Sequence, residues 1–334
     1  PHFGCMKAKC MPREVNIAVV GATGAVGREF LHILDDHPFP INNLKLLASQ
    51  RSAGTKLTVR GQEIEVGEAK PDCFDDVDLV FISASSSISQ QLGPEAVNRG
   101  ALVIDDSSAF RMQSNVPLVV PEVNGSDVEW HQGIISIPNC STTPLVMAIH
   151  PLVQSNVIRR VIVNTYQSVS GAGGAAIHEL REQSIALANN KEYPPEALPQ
   201  QIAFNLFPQI GDFLPSGYTD EEEKMINETR KILHQENLGV SATCVRVPVY
   251  VCHSESVHLE FENPIHLDEV RGLLSQMPGL VVCDMDDPEI YPMPGELAGT
   301  DDVYIGRIRQ DRALPNGIAM WLVSDNLRKG AALN

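Results

Sequence analysis

The sequence predicts an α/β protein of two domains, and three observations support this fold class. The chain has 334 residues, which is longer than most chains that fold around one hydrophobic core. From residue 15 to about residue 140, short apolar segments alternate with amphipathic ones, as in a doubly wound parallel sheet. After residue 140 the strands become longer and the helices fewer, which predicts a mixed sheet.

Composition limits the classes of partner. The net charge of −17 opposes binding to nucleic acid and to anionic membrane surfaces. The seven cysteines lack paired spacing, so we expect reduced thiols, a cytoplasmic protein and no metal site. No apolar run approaches the roughly 18 residues that a membrane span needs. An anionic ligand would therefore require Arg and Lys side chains gathered locally at its site.

Structure is predicted to begin with a strand, a glycine-rich turn and a helix. Residues 1–13 show no periodicity, and we predict a disordered lead there. A strand at 15–20, the turn Gly21–Gly27 and an amphipathic helix at 28–34 follow. This order is typical of dinucleotide binding, because glycines allow close backbone approach and the helix N-terminus faces the pyrophosphate. The cofactor contacts expected in the turn are Gly21, Thr23, Gly24, Ala25, Val26 and Gly27.

The end of the next predicted strand, at 44–48, distinguishes between the two nicotinamide cofactors. An NAD enzyme carries an acidic residue about 20 residues after the turn, where it binds the ribose 2′-hydroxyl. Here the strand is followed by Ser49, Arg51 and Ser52 instead. Hydroxyl and guanidinium groups suit a 2′-phosphate, so these three residues predict NADP. The alternative is that Arg51 is a solvated loop charge.

The rest of the first domain continues the alternation of strands and helices. We predict a hairpin over 59–66 that turns at Arg60 and Gly61, strands at 77–82 and 102–104, and a helix near 88–98. Polar residues follow two of these strands, at 83–87 and 105–108. Ligands of parallel sheets bind at the carboxyl ends of the strands. We therefore expect Ser83 among the cofactor contacts.

Cys140 lies where an apolar run at 134–137 gives way to a helical pattern near Thr143 and Pro144. This predicts a buried strand, a tight turn and a helix with proline in its first turn. At such a position we expect the helix dipole to lower the pKa of the thiol, and free backbone N–H groups to stabilise an oxyanion. The alternative is a buried, inert cysteine.

The second domain contains further candidate site residues. Strands are predicted at 157–166, 241–251, 257–261, 280–282, 303–309 and 317–323, and helices ending near 190 and at 219–235 and 267–276. Gln167 closes the first strand, and Glu221 and Lys224 share one helix face. Arg246 and His253 lie along a strand that runs into a polar turn. Each has a structural alternative: a helix-dipole partner, a surface charge or a buried structural histidine.

Taken together, these segments resemble the bacterial-type aspartate-semialdehyde dehydrogenase family over nearly the whole chain from residue 15. The segments that carry the resemblance are 21–27, 105–112, 119–124, 138–143, 167–171, 217–224, 246–249, 253–255 and 324–326. The resemblance implies an NADP-binding Rossmann-type domain over 14–140, joined by 323–334. It also implies a catalytic and dimerisation domain over 141–322 with a glyceraldehyde-phosphate-dehydrogenase-like α+β fold, and a homodimer or a dimer of dimers.

The resemblance also implies a reaction and roles for the site residues. The reaction is NADPH-dependent reductive dephosphorylation of L-aspartyl 4-phosphate to L-aspartate 4-semialdehyde, in lysine, threonine and methionine synthesis. Cys140 would form the thioester, His253 would act as acid and base, and Gln167 would orient the reacting group. Arg246 would bind the α-carboxylate of the substrate and Glu221 its amino group. The phosphate would be bound by Lys224, Arg111 and Asn139, and further cofactor contacts would be Ser170, Gly171 and Asn326.

Two other functions stay open at this point. One is a related acyl-phosphate reductase of the N-acetylglutamyl-phosphate type, although Glu221 and Arg246 together suit a free amino acid better. The other is a non-catalytic NADP-binding paralogue, although such relatives lose the cysteine or the glutamine that this chain keeps. In one departure from the family pattern, Cys252 stands before the histidine where a small residue is usual, and we expect it to serve packing.

Overall fold

The structure is a computed structural model that describes residues 13–287 and 289–334. The predicted disordered lead therefore lies outside the described residues except for Arg13. Two six-stranded sheets organise the described chain, accompanied by a small hairpin. The strands are β1 (Val15–Val20), β2 (Ile41–Ala48), β3 (Lys56–Val59), β4 (Gln62–Glu65), β5 (Gly67–Glu68), β6 (Leu79–Ile82), β7 (Leu102–Asp105), β8 (Ile134–Ser136), β9 (Ile158–Gln167), β10 (Gly239–Arg246), β11 (His253–Phe261), β12 (Leu280–Val282), β13 (Val303–Gln310) and β14 (Gly317–Ser324).

Helices connect the strands and cover the sheets. The α-helices are α1 (Ala25–Asp36), α2 (Ser86–Asn98), α3 (Pro121–Asn124), α4 (Thr142–Ser155), α5 (Gly174–Ala188), α6 (Asp220–Ile232), α7 (Leu267–Ser275) and α8 (Pro294–Leu297). Short 3₁₀ turns lie at Pro71–Phe74, Gly125–Trp130 and Val169–Ala172, and a π-helical turn lies at Arg328–Ala332. Within the described ranges, no helix is both long and apolar enough to span a membrane.

The first sheet has the order β5-β2-β1-β6-β7-β8, and its neighbouring strands are parallel. Strand β1 is buried on both faces: Ile17 and Val19 lie in one hydrophobic cluster with residues of α1, and Ala18 and Val20 lie in another with residues of α2. Continuous apolar strands are expected in a sheet that is covered on both sides. The predicted doubly wound sheet is therefore confirmed, and so is the hairpin, whose turn residues Arg60 and Gly61 have φ of 50° and 74°.

The second sheet has the order β10-β9-β11-β14-β13-β12 and mixes parallel with antiparallel pairs. Helix α4 packs into the largest hydrophobic cluster of the described chain, where Leu145–Ile149 is fully buried. A helix that is apolar on all sides in this way belongs in a core. The mixed sheet predicted for the second domain is confirmed, while the domain limits at residues 140 and 322 stay a prediction.

One predicted strand is wrong in its extent. The expected strand over 241–251 ends at Arg246, and the next strand begins at His253 instead of Val257. The reason is topological: β10 runs parallel to β9 whereas β11 runs antiparallel to it, so the chain must reverse between them. Cys252, with a φ of 74°, takes part in this reversal. The reversal brings His253 back beside the end of β9.

Candidate active site

Three predicted site residues lie in a row across the second sheet. Arg246 of β10 is the register partner of Gln167 of β9. Ser254 of β11 is the partner of Tyr166, so His253 lies next to Gln167 on the same face. The side chains of Arg246, Gln167 and His253 are buried. Strand pairing alone therefore brings these three groups together.

Cys140 reaches this row from the first sheet. It lies in the turn between β8 and α4, and its Sγ is 3.3 Å from Nε2 of His253. The thiol also donates to Oδ1 of Asn139 at 3.2 Å. The Cβ of an alanine at position 330 would lie 2.9 Å from Cβ of Cys140, so the π-helical turn packs directly against the thiol-bearing residue. Cys140 and His253 are thus in contact although 113 residues separate them.

The tautomer of His253 follows from its neighbour Ser168. The backbone N–H of Ser168 donates to Nδ1 of His253 at 3.1 Å. Because a backbone N–H can only donate, Nδ1 must accept, and the proton of the neutral ring lies on Nε2, facing the sulfur of Cys140. Burial, together with the Arg246 guanidinium, lowers the pKa of His253 to about 3. The ring is therefore uncharged at neutral pH.

The expected low pKa of Cys140 is contradicted by the structure. The pKa of this thiol is raised to about 12, chiefly by burial and then by the Glu221 carboxylate, while Arg111 and Arg246 oppose the rise. Two of the backbone N–H groups at this helix start are engaged, since those at positions 142 and 143 donate to the carbonyl oxygen of Asn139. Stabilisation of an oxyanion by the other N–H groups of the turn stays a prediction. Loss of hydration outweighs the helix dipole at this depth. In the protein alone the sulfur is therefore a neutral thiol.

Helix α6 brings Glu221 and Lys224 to the site. Its first turn is fixed by a capping box, in which Thr219 and Glu222 bond reciprocally to each other's backbone N–H groups. Nε2 of Gln167 donates to Oε1 of Glu221 at 3.3 Å, and Nζ of Lys224 lies 3.5 Å from Oε2 of Glu221. Burial alone lowers the pKa of Lys224, but nearby carboxylates, Glu221 first, outweigh burial and raise it. The amine is therefore charged.

Arg111 and Asn139 are linked by a buried residue that the sequence analysis missed, Glu228. Oε1 of Glu228 accepts from Nη1 of Arg111 at 3.0 Å, and Oε2 accepts from the N–H of Asn139 at 2.7 Å. Glu228 lies seven residues after Glu221 and four after Lys224, hence on the same face of α6. That spacing is the signal that could have identified it.

The glycine turn has the shape of a backbone cradle. Gly21 has a φ of 88°, and a Cβ there would lie 2.0 Å from the carbonyl oxygen of Ser83. A Cβ on Gly27 would lie 2.2 Å from the carbonyl oxygen of Gly21, so neither position accepts a side chain. Helix α1 begins directly after Gly24, which provides no side-chain cap. These features fit a pyrophosphate held by backbone N–H groups, with Thr23, Ala25 and Val26 in the same turn.

The other predicted cofactor contacts fall into two groups. Ser49, Arg51 and Ser52 form the turn after β2, where Arg51 is exposed. Ser170 and Asn326 are linked to His253 through Ser168. The Ser168 hydroxyl lies 3.0 Å from Nδ1 of His253, and Oδ1 of Asn326 accepts from the hydroxyls of Ser168 and Ser170. Gly171 borders the site itself, since a Cβ there would lie 3.2 Å from atoms of Arg246 and His253. Among the described residues, no cluster of three or more His, Cys, Asp or Glu side chains could hold a metal ion.

Comparison with known proteins identifies the family. The sequence model described as "Semialdehyde dehydrogenase, NAD binding domain" matches residues 16–131, and "Semialdehyde dehydrogenase, dimerisation domain" matches residues 149–329. The aspartate-semialdehyde dehydrogenase of Bacillus subtilis is 50% identical over 97% of this chain and 96% of its own length. The chain belongs to the aspartate-semialdehyde dehydrogenase family. The family resemblance predicted from the motifs is thereby confirmed, and the protein is an oxidoreductase with a nicotinamide-dinucleotide-binding domain.

Solved structures of the aspartate-semialdehyde dehydrogenase family have the same fold. A crystal structure of the Vibrio cholerae enzyme II, complexed with ASA, superposes with a TM-score of 0.93 at 40% identity and covers 96% of each chain. The Candida albicans enzyme with NADP superposes with a TM-score of 0.74 at 28% identity, covering 96% of each chain. The Rossmann-type sheet and the mixed second sheet predicted from the sequence are therefore those of the family.

Proposed function

We propose that this protein catalyses the NADPH-dependent reductive dephosphorylation of L-aspartyl 4-phosphate to L-aspartate 4-semialdehyde, a step of amino-acid biosynthesis. The observation that carries the proposal is the contact of 3.3 Å between Sγ of Cys140 and Nε2 of His253, within a set of buried cations. Relatives named for this activity match nearly the full chain. Cys140 is the nucleophile and His253 the acid and base of the reaction.

The charges of Arg246 and Glu221 indicate which class of substrate fits the site. Gln167 is the register partner of Arg246 and donates to Oε1 of Glu221 at 3.3 Å, so both charged residues neighbour it. A guanidinium and a carboxylate that neighbour the same amide match the α-carboxylate and the ammonium group of a free amino acid. An N-acetylated substrate has no ammonium group, so Glu221 would be left as a buried carboxylate without a cationic substrate group. The pair therefore favours aspartyl phosphate over an N-acetylglutamyl phosphate.

Unpaired donors support a phosphate site. Within the described residues, Nε of Arg111 and Nδ2 of Asn139 are buried without a hydrogen-bond partner. A buried donor without a partner costs roughly 1–3 kcal/mol, so such atoms are retained where a ligand satisfies them. Both belong to residues beside Cys140, and the charged amine of Lys224 lies on the facing helix. We assign these three residues to the substrate phosphate.

The proton positions define the chemistry of the two reacting side chains. The sulfur of Cys140 attacks the acyl carbon, phosphate departs with the proton of the thiol, and a thioester forms. Bound NADPH supplies the hydride that reduces this thioester. The Nε2–H of His253 shares its proton with the carbonyl oxygen through a hydrogen bond as charge develops there, and the ring keeps that proton when the C–S bond of the thiohemiacetal breaks. The aldehyde leaves, and the sulfur recovers a proton from solvent.

The cofactor and the assembly complete the proposal. Arg51, with Ser49 and Ser52, binds the 2′-phosphate of NADP, since no acidic side chain follows β2. The protein works as a homodimer, alone or paired into a dimer of dimers, and its location is cytoplasmic. The match to a dimerisation domain supports the dimer, as does a solvent-facing aromatic pair on the second sheet, Tyr166 and Trp321, with ring centres 5.3 Å apart.

One assay tests the reaction. We expect NADPH to form from NADP, phosphate and L-aspartate 4-semialdehyde, and Cys140→Ala to reduce the rate by at least about 10³-fold. N-Acetylglutamate 5-semialdehyde should give no comparable rate. Absence of turnover by the wild-type protein, or undiminished turnover by Cys140→Ala, would rule out the proposal.

A second measurement tests the choice of cofactor. Arg51→Ala should raise the KM for NADP and leave the KM for NAD unchanged. An unchanged ratio of these two KM values would count against Arg51 as the ligand of the 2′-phosphate.

A further inference from the structure

Glu228 uses both carboxylate oxygens to join parts of the site that are distant in sequence. One oxygen accepts from Arg111, 117 residues away, and the other from the backbone N–H of Asn139, 89 residues away. The side chain of Glu228 is only 1% exposed. Arg111 and Asn139 follow strands of the first sheet, whereas Glu228 belongs to helix α6, which also carries Glu221 and Lys224. One carboxylate thus connects the two sides of the site.

The bond to Arg111 has an electrostatic and a geometric consequence. The guanidinium of Arg111 is buried, and a buried cation is stable only when it is paired. Glu228 supplies the pairing charge, while the carbonyl oxygen of Asp106 accepts from Nη2 of Arg111 at 2.8 Å. Two fixed acceptors on two different nitrogens define the plane of the guanidinium. The direction in which Nε of Arg111 points is therefore set by Glu228 and Asp106.

The bond to Asn139 acts on the residue next to the nucleophile. The peptide N–H of Asn139 donates to Glu228 at 2.7 Å, and Asn139 immediately precedes Cys140. The same residue accepts the thiol hydrogen through Oδ1. A charged hydrogen bond at this peptide restrains the turn relative to α6. Movement of the carboxylate would therefore move the phosphate-binding group and the nucleophile together.

We propose that Glu228 is a positioning residue that fixes the Arg111 guanidinium and the Cys140 turn relative to helix α6. The proposal rests on the proposed function for its kinetic readout, since Arg111 is assigned there to the phosphate. Glu228 itself contacts no reacting atom. Its role is to keep Arg111, Asn139 and the sulfur of Cys140 at a constant separation from Glu221 and Lys224, the substrate-binding residues of the same helix.

Two substitutions separate geometry from charge. Glu228→Asp keeps the charge and shortens the side chain by one methylene, whereas Glu228→Gln keeps the length and removes the charge. If Glu228 positions the site, both variants lower kcat and raise the KM for phosphate, by about tenfold to a hundredfold for the loss of charged hydrogen bonds. The KM for NADP should stay within about twofold. A normal Glu228→Asp enzyme, or a lower KM for phosphate with unchanged kcat in Glu228→Gln, would show that only the charge matters and would overturn the proposal.

A matched control and a double-mutant cycle exclude a general loss of stability. Glu179 of α5 is also buried and accepts from the backbone N–H of Glu196 at 2.6 Å, and within the described residues none of its hydrogen bonds goes to a site residue. Glu179→Gln should lower the melting temperature without changing the KM for phosphate. In Arg111→Ala, the further substitution Glu228→Gln should add less than threefold to the KM for phosphate. If Glu228→Gln raised the KM for phosphate by the same factor with and without Arg111, Glu228 would not act through Arg111.

A measurement that needs no turnover keeps this proposal separate from the proposed function. Alkylation of Cys140 by iodoacetamide, followed by mass spectrometry at a fixed pH, reports the position of the turn. We expect Glu228→Asp to change this rate by at least about threefold, with the rate at Cys73 unchanged. Equal alkylation rates of Cys140 in Glu228→Asp and in the wild-type protein would overturn the positioning role of Glu228. If the wild-type protein fails to turn over aspartate semialdehyde, the proposed function fails, and the alkylation result still decides the role of Glu228.

Discussion

The two halves of the site are built in different ways. The sheet half consists of Gln167, Arg246 and His253. The turn half consists of Arg111, Asn139 and Cys140. Neighbouring strands β10, β9 and β11 place the sheet half, so its geometry is shared among many backbone hydrogen bonds. The turn half lies in loops. Side-chain bonds hold Arg111 to Glu228 and Asp106, one bond joins the N–H of Asn139 to Glu228, and Gly330 packs closely against Cys140.

This difference predicts where the site is sensitive to change. A strand ladder distributes a local disturbance over its neighbours, and a buried strand moves little. A loop held by a few contacts shifts as a unit when one contact is lost, and a displacement of about 1 Å at a reacting group can cost about 10²-fold in rate. We therefore expect equivalent substitutions to cost more in the turn half than in the sheet half.

The largest expected effect is on the rate of alkylation of Cys140. It depends on the charges of Cys140 in the turn half and His253 in the sheet half. With the pKa of Cys140 raised to about 12 and that of His253 lowered to about 3, both are uncharged at neutral pH. The thiolate fraction then rises about tenfold per pH unit below 12, so alkylation of Cys140 should accelerate about 10³-fold from pH 6 to pH 9. Mass spectrometry of the Cys140 peptide measures this, in protein without substrate. A plateau near pH 7 would show a thiolate–imidazolium pair instead.

The next effect compares two glycines, one packed against each half of the site. In Gly330→Ala the new Cβ would lie 2.9 Å from Cβ and 3.0 Å from Cα of Cys140, atoms that cannot rotate away. In Gly171→Ala it would lie 3.2 Å from side-chain atoms of Arg246 and His253, which can yield by a few tenths of an ångström. We expect kcat to fall about tenfold to a hundredfold for Gly330→Ala and only a few-fold for Gly171→Ala.

Steady-state kinetics of both variants test the comparison, with Gly272→Ala as the control. Gly272 lies in α7, and a Cβ there meets no atom within 4 Å. Because alanine favours a helix more than glycine does, this control should keep its activity and gain a little stability. A greater loss of kcat in Gly171→Ala than in Gly330→Ala would reverse the proposed order of the two halves.

How far the sequence could predict the structure also differs between local and distant features. The cradle at Gly21 and Gly27 was predictable, because strand, glycine turn and helix are local in the chain. The pKa of Cys140 was predicted wrongly, because its environment depends on burial and on Glu221, which come from the whole fold. Glu228 was missed because its partners lie 89 and 117 residues away. Helix periodicity could place it on the correct face but could not name those partners.

The smallest expected effect is on stability and concerns Glu255, a residue of β11 beside the sheet half. Two residues after His253, this side chain is buried, and within the described residues neither carboxylate oxygen has a hydrogen-bond partner. Burial raises the pKa of Glu255 well above its usual value, so the folded protein holds the proton more tightly than the unfolded chain. The resulting stability is present below pH 4.5 and is lost as pH rises through the folded-state pKa.

Glu255→Gln should therefore stabilise the protein at alkaline pH, because the amide has no charge to bury. We expect the melting temperature to rise by about 2–5 °C at pH 8 and by less at pH 5, measured by thermal denaturation. The control is Glu260→Gln on the same strand, whose ion pair with Arg160 at 2.8 Å is partly exposed and contributes little. An equal loss of stability at both pH values would mean that Glu255 is paired as a carboxylate. A pH-dependent gain would show that the strand ladder holds the sheet half in place despite an unpaired acid beside it.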